Sequence, residues 1–124
     1  MENDDFKVMA RLLGAIRANE EKPVFDPLCV DEKVMCTTAA HRDALAIKLQ
    51  KAGYIEGVFI LDGIDNMPRP VVLWNNSHPS ITIAGLEFIR TSEPLRKAGQ
   101  AILEIGIAVA SQAVSAAMTQ LFQG

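Results

Sequence analysis

The clearest pattern of apolar and polar positions lies in the middle of the chain, where apolar residues fall on one face of a predicted helix. They follow one another at steps of four and three: Leu45, Leu49 and Ala52. Gly53 comes next, where the left-handed conformation that ends a helix costs least. β-branched and aromatic residues follow and favour a strand. The pattern therefore predicts a helix over 38–52 and a strand over 54–61.

Two helices are predicted before this segment. Near the N-terminus, apolar residues recur at steps of three and four, which predicts an amphipathic helix from a cap at Asp4 or Asp5 to about Asn19. Residues 28–34 leave room for about two further helical turns. A corner follows at 35–38, where threonine hydroxyls can accept the free amide hydrogens that open the next helix.

Turn residues and short apolar runs after the central strand predict a small antiparallel wing. One strand is expected over 71–74 and another over 80–83, and Thr82 is placed to cap a short helix near 86–89. Two helices joined by a corner form a helix-turn-helix. The predicted fold class is therefore α+β, mainly α, with a winged-helix domain over 1–91.

Two sequence segments carry a resemblance to a known family. The segments GYIEG at 53–57 and ITIAGLEFI at 81–89 resemble the YjcQ family of small bacterial and prophage-encoded proteins, as does the length of the helix predicted from near Asp5 to about Asn19. The resemblance covers about residues 4–98. It implies a winged-helix fold and a phage or prophage relationship, and it implies no defined activity.

Residues 92–124 predict one long C-terminal helix. Ser92 can cap it, and Glu93 and Pro94 suit its first turn. A helix of nearly 30 residues, at about 1.5 Å per residue, would extend for about 43 Å, which exceeds the roughly 30 Å width of a small domain. Its apolar residues fall in two neighbouring stripes that span roughly 220° of the circumference, against about 100° for a typical surface helix. The first stripe is Leu95, Ala98, Ile102, Ile105, Val109, Ala113 and Ala116, and the second is Leu103, Ile107, Ala110, Val114, Met118 and Leu121. We therefore expect another molecule to cover part of it.

The two stripes supply a predicted oligomer interface. Its expected residues are Ile102, Leu103, Ile107, Val109, Ala110, Val114, Met118 and Leu121. Basic residues end at Lys97, whereas a helix on an anionic membrane normally carries Lys or Arg along its polar arc. Glu104, Gln112 and Gln120 would also oppose insertion into a bilayer. The prediction is a homo-oligomer, and the pattern leaves open its number of copies and whether the helix packs in cis or in trans.

Composition and charge restrict the classes of function. The chain has 124 residues and is 49% hydrophobic, enough for one domain that folds without disulfides or metals. Its net charge of −3 argues against non-specific coating of nucleic acid. The acidic start, MENDDFK, lacks the order of a secretory signal, so a cytoplasmic location is expected.

Candidate chemistry is sparse. The sequence contains no phosphate-binding glycine loop, nucleophile elbow or metalloprotease motif, so we expect no enzyme, no catalytic residue and no cofactor. His41 is expected to be a packed or capping residue, and His78 a solvated loop residue. Cys29 and Cys36 match no common zinc spacing and are expected to be small core residues, with no metal. A metal cluster of both cysteines with His41 is the alternative.

The helix over 38–52 is the one that would enter a DNA major groove in this fold. Its expected outward face carries Ala39, Ala40, Asp43, Ile47, Gln50 and Lys51. Asp43 would meet phosphates unfavourably, and Ile47 has little to contact except a thymine methyl. The residues that could contact nucleic acid are His41, Arg42, Lys48, Lys51 and Arg69.

Three hypotheses for function follow. The first is a non-enzymatic winged-helix protein that self-associates through its C-terminal helix and acts as an adaptor or interaction module for a protein partner. The second is a winged-helix transcriptional regulator whose C-terminal helices bring two DNA-binding helices to adjacent half-sites. The third is a membrane-associated protein anchored by the same helix, which the polar residues of that helix disfavour.

Overall fold

The computed structural model of the protein describes residues 2–63, 69–105 and 121. This part of the chain forms a mainly helical α+β fold with five α-helices and two small antiparallel sheets. The helices are α1 (Glu2–Asn19), α2 (Glu32–Met35), α3 (Ala39–Lys51), α4 (Ile83–Thr91) and α5 (Glu93–Ile105). The strands are β1 (Ile55–Glu56), β2 (Ile60–Leu61), β3 (Val71–Val72) and β4 (Ser80–Ile81). Short 3-10 helices lie at Pro27–Val30 and Trp74–Asn76.

Helix α1 forms the centre of the core. Its fully buried residues are Ala10, Leu12, Leu13, Ala15 and Ile16. Helices α3 and α5 and strand β4 all pack against α1. The predicted end at Asn19 is confirmed, and the side-chain amide of Asn19 donates a hydrogen bond to the Ala15 carbonyl at 2.8 Å. The predicted cap is wrong, because the helix begins at Glu2 and leaves Asp5 free for a tertiary contact.

The central helix of the sequence pattern is confirmed as α3. The Thr38 hydroxyl caps it by accepting from the His41 amide at 3.2 Å. Leu45 and Leu49 are buried as predicted, whereas Ala52 is exposed. The helix ends at Lys51 with Ala52 as its cap, and Gly53 follows with a φ of +84°, the left-handed conformation expected after a helix end. The caps predicted at Thr82 and Ser92 are also observed, at the starts of α4 and α5.

A continuous strand over 54–61 is not observed. The four strands form a hairpin whose outgoing arm is β1 and β2 and whose returning arm is β3 and β4. Val58, between β1 and β2, bonds to a side chain of α3. The Gln50 amide donates to the Val58 carbonyl at 3.0 Å and accepts from the Val58 amide at 2.8 Å. Because the Gln50 side chain binds both the amide and the carbonyl of Val58, these backbone groups do not need hydrogen bonds from a neighbouring strand.

The returning arm of the hairpin is longer than the outgoing arm. Ile55 lies opposite Ile81, and Ile60 lies opposite Val72, so five residue steps on one side match nine on the other. The 3-10 helix at Trp74–Asn76 takes up the excess. The strands predicted over 71–74 and 80–83 are therefore shorter than expected: one ends before Trp74, and the other ends where α4 begins.

The start of the C-terminal helix packs against the domain. Leu95 is fully buried and Ala98 is nearly so, both in the contact between α5 and α1. Leu121 is partly buried against the same core. Of the other predicted interface residues, Ile102 and Leu103 are described by backbone only, and the rest lie outside the described residues.

Candidate functional site

Asp43 on α3 points into the core, so its predicted outward position is wrong. Its Oδ1 accepts from Trp74 Nε1 and from Arg42 Nε, both at 2.9 Å, and its Oδ2 accepts from the Val72 amide at 3.2 Å. The residue is 7% exposed. A buried carboxylate needs such donors because an unpaired one would lose its hydration without compensation. Asp43 therefore joins α3 to the hairpin.

Arg42 belongs to the same contact and is not a surface charge. Its guanidinium donates to the Val30 carbonyl at 2.9 Å and lies over the Trp74 ring, 5.5 Å from the ring centre. Only 12% of its side-chain surface is exposed. We call Arg42, Asp43 and Trp74 the buried polar cluster. Its donors and acceptors are bound to protein groups, which leaves Arg42 poorly placed to contact an external partner.

The outward face of α3 differs from the predicted one. Ile47 is buried, and Gln50 is bound to the hairpin. The exposed residues of the helix are Ala40, Ala44, Lys48 and Lys51. Arg69, beside the hairpin, is also exposed. This face is therefore small and basic, and it lacks the acidic residue that the sequence pattern placed there.

A second polar cluster lies at the N-terminal end of α3. His41 Nδ1 is 2.7 Å from Thr37 Oγ1, and His41 Nε2 is 2.7 Å from Asp5 Oδ1. A carboxylate can only accept, so Nε2 carries a proton and donates to Asp5. In the neutral imidazole Nδ1 then accepts from the Thr37 hydroxyl. The His41 side chain is partly exposed, and these two contacts tie α1 to the start of α3.

A surface pocket of about 150 Å³ adjoins this second cluster. It is lined by Lys7, Val8, Arg11, Cys36, Thr37 and His41. Val8 is buried and gives the pocket an apolar base, whereas Lys7 and Arg11 are partly buried. Neither cation takes part in an ion pair among the described side chains. We call this the α1–α3 pocket.

The two cysteines occupy different environments. Cys36 is exposed, so its predicted core position is wrong, and it ends α2 with a left-handed φ of 56°. Cys29 is partly buried, and this burial raises the pKa of its thiol to about 12. Within the described ranges, no three His, Cys, Asp or Glu side chains come together as a metal site would require. His78 is exposed as expected, with Nε2 2.8 Å from the Lys22 carbonyl.

Several large apolar side chains are exposed. They are Val24, Leu28, Phe59, Ile83 and Leu86. Ile83 is 87% exposed and stands one turn before Leu86 on α4. A wider pocket of about 530 Å³ lies between α1 and α5. Among the described helices, none has the length and hydropathy needed to cross a bilayer.

The sequence pattern missed four residues of the second cluster and its pocket. They are Asp5, Lys7, Arg11 and Thr37. A signal was present, because Lys7 and Arg11 are four residues apart on α1, as Thr37 and His41 are at the start of α3. That spacing places two residues side by side but does not reveal that the two helices bring both pairs together.

Comparisons of the chain with protein-family models, with curated proteins and with solved structures found no match. The resemblance to the YjcQ family therefore stays a prediction.

Proposed function

We propose that this protein is a non-enzymatic winged-helix module, related to phage or prophage proteins, that works by binding other proteins and self-associates through its C-terminal helix. In this proposal α3 and the hairpin after it correspond to the second helix of a helix-turn-helix and its wing. The short strands β1 to β4 would be that wing.

A contrast between polar and apolar side chains carries the proposal. The side chains best suited to chemistry are bound to protein groups: both nitrogens of His41, the guanidinium of Arg42 and the carboxylate of Asp43. Large apolar side chains such as Ile83 are exposed instead. Exposed apolar surface favours contact with another macromolecule.

The C-terminal helix supports self-association through its sequence pattern. The start of the first stripe is buried within the chain at Leu95 and Ala98, on the helix that packs against α1. Leu121 is also covered by its own chain. The test therefore uses residues nearer the middle of the second stripe, such as Ile107 and Val114.

The experiment measures the solution mass of the full chain by light scattering at tens of micromolar. We expect a mass of two or more copies, and we expect the double substitution Ile107→Asp with Val114→Asp to reduce it to one. Ser111→Asp with Ser115→Asp places the same two charges on the predicted polar arc and should leave the mass unchanged. A monomer mass for the unsubstituted chain would refute self-association.

A second candidate function is DNA binding, and the position of Asp43 favours it. Because Asp43 and Ile47 are buried, the outward face of α3 carries Ala40, Ala44, Lys48 and Lys51. Small residues allow close approach to a groove, and lysines contact phosphates. Arg69 could extend these contacts.

Fluorescence anisotropy with mixed-sequence duplex DNA at about 50 mM salt tests this candidate. Binding that weakens in Lys48→Ala and Lys51→Ala, and that falls as salt rises, would support it. The control is Lys97→Ala, because Lys97 lies on α5 and pairs with Glu93. Absence of binding at low salt would refute the candidate and leave the first proposal standing.

A further inference from the structure

We propose that the α1–α3 pocket binds a tetrahedral oxyanion, such as a phosphate group, and that this binding is coupled to protonation of His41. The inference does not depend on self-association, because the pocket is formed within one chain by Lys7, Arg11, Thr37 and His41.

The charges around the pocket favour an anion. Lys7 and Arg11 are one turn apart on the same face of α1, so both side chains reach the same opening. Neither has an ionic partner among the described side chains, and both are partly buried, which strengthens their attraction for an anion.

Three acidic side chains described near the pocket are bound to other groups. Asp5 lies on His41 Nε2, Glu32 accepts from the Ala39 amide at 3.2 Å, and Glu93, which lines a second pocket with Lys7, pairs with Lys97 at 3.1 Å. Among the described side chains, Lys7 and Arg11 therefore keep their charges for a ligand.

The shape and donor set favour a tetrahedral anion over a carboxylate. The pocket has room for about five water molecules at roughly 30 Å³ each, which is enough for one phosphate-sized group. The Arg11 guanidinium can hold two anion oxygens, and Lys7 can hold a third as a point charge. An anion with three or four oxygens can satisfy these donors together, whereas a carboxylate has only two oxygens.

The Thr37 hydroxyl makes binding depend on the protonation of His41. When the imidazole is neutral, the Thr37 proton is directed to Nδ1, and Thr37 has no proton for an anion. When the imidazole is protonated, Nδ1 becomes a donor to Thr37 Oγ1, and the hydroxyl proton is free to turn into the pocket. Protonation thus adds both a donor and a positive charge.

The same coupling acts in the reverse direction. A bound anion adds negative charge beside His41, which also lines the pocket, so it favours the protonated imidazole. Anion binding should therefore take up a proton, and affinity should rise as the pH falls.

The experiment titrates the full-length protein with sodium sulfate and follows the backbone amide signals of residues 36–42 by NMR. Sulfate keeps its charge across the pH range used, so a change in affinity with pH reports on the protein. We expect saturable shifts at millimolar sulfate. The dissociation constant should fall several-fold as the pH is lowered from about 7.5 to about 5.5, the range in which imidazole charge changes. His41→Gln should remove this pH dependence.

Substitutions locate the site. Lys7→Ala and Arg11→Ala should each weaken sulfate binding about tenfold or more, since each removes a charged hydrogen bond. Lys33→Ala, an exposed residue of α2 outside the pocket, should leave binding unchanged. Equal affinity in all variants, or no saturable shift in the unsubstituted protein at about 50 mM sulfate, would overturn the proposal.

Competition identifies the source of the anion. If mixed-sequence duplex DNA binds and sulfate displaces it in proportion to pocket occupancy, the group is a backbone phosphate. If inorganic phosphate competes with sulfate and DNA does not, the ligand is a free phosphate or a small phosphorylated molecule.

Discussion

Two polar clusters start from neighbouring residues of α3 and differ in almost every physical respect. Asp43 and Arg42 turn inward and bind Trp74, and the Asp43 carboxylate is nearly inaccessible to solvent. His41 turns to the surface and binds Asp5, whose side chain is 47% exposed. The buried polar cluster, here the inner cluster, has protein partners for the Asp43 carboxylate. The cluster of His41, Thr37 and Asp5, here the outer cluster, borders the α1–α3 pocket, whose two cations have no ionic partner among the described residues.

The difference shows how burial separates a structural polar group from one available for binding. Removing a partner from the inner cluster leaves the others without water to replace it. Removing one from the outer cluster lets solvent take its place. The five predictions below test this contrast in order of decreasing effect.

The largest expected effect is that of Asp43→Ala. This substitution leaves the Arg42 guanidinium, the Trp74 indole and the Val72 amide without their acceptor, so we expect the free energy of unfolding to fall by about 3–5 kcal/mol. Urea unfolding followed by Trp74 fluorescence measures it. Asp43→Asn keeps the shape and one acceptor and should lose less. A loss below about 1 kcal/mol would show that the inner cluster is not structural.

The two cysteines report on the two clusters. Cys29 precedes Val30, whose carbonyl accepts a hydrogen bond from Arg42, whereas Cys36 lines the α1–α3 pocket. Because burial raises the pKa of Cys29 to about 12, native protein should alkylate Cys36 at least about tenfold faster with iodoacetamide at neutral pH. Peptide mass spectrometry over time measures both rates, with urea-unfolded protein as the control that should equalise them. Comparable native rates would contradict the assigned burial.

The same raised pKa predicts a loss of stability in alkali. The unfolded Cys29 thiol ionises near 9, while the folded thiol stays neutral until about 12. The unfolded state therefore releases its proton first, and the Cys29 contribution to the free energy of unfolding falls as the pH rises from 9 to 12. Cys29→Ala should lessen the decline.

A smaller effect is expected for the contact between Asp5 and His41. Both side chains are more than a third exposed, so solvent screens the pair. A double-mutant cycle with Asp5→Ala and His41→Ala should give a coupling of about 0.5–1 kcal/mol. A coupling comparable to the loss in Asp43→Ala would remove the distinction between the clusters.

The smallest effect is expected for Lys48→Ala on the outward face of α3. Lys48 is exposed and has no ionic partner among the described side chains, so stability should change by no more than about 0.5 kcal/mol. This variant therefore allows DNA binding to be tested without a change in folding. A larger loss, measured by urea unfolding, would mean that Lys48 has a structural contact.

Local signals in the sequence were sufficient for most helices. The extent of α3 and the caps at Thr38, Thr82 and Ser92 follow from residues within one or two turns of each other, where side-chain spacing alone decides the outcome. The end of α1 at Asn19 follows in the same way.

Long-range partners account for the failures. Asp43 and Gln50 are polar and stand where a helical wheel places solvent, but their partners come from the hairpin. Trp74 is separated from Asp43 by 31 residues, and no local pattern links them. The pocket was missed for the same reason: His41 was singled out, but Asp5 is 36 residues away.

The unequal arms of the hairpin have a consequence for its motion. At the base, where β1 pairs with β4, the backbone of Gly85 lies close to the Tyr54 carbonyl, and a side chain at Gly85 would collide with that carbonyl. The tip, where β2 pairs with β3, is held to α3 through Asp43 and Val72. Because the 3-10 helix at Trp74–Asn76 interrupts the ladder between them, opening of one end need not spread to the other. Hydrogen exchange should accordingly find two protection levels in one hairpin. A change at Asp43 should speed exchange of the Val72 amide, which donates to Asp43, more than that of the Ile81 amide, which donates to Glu20.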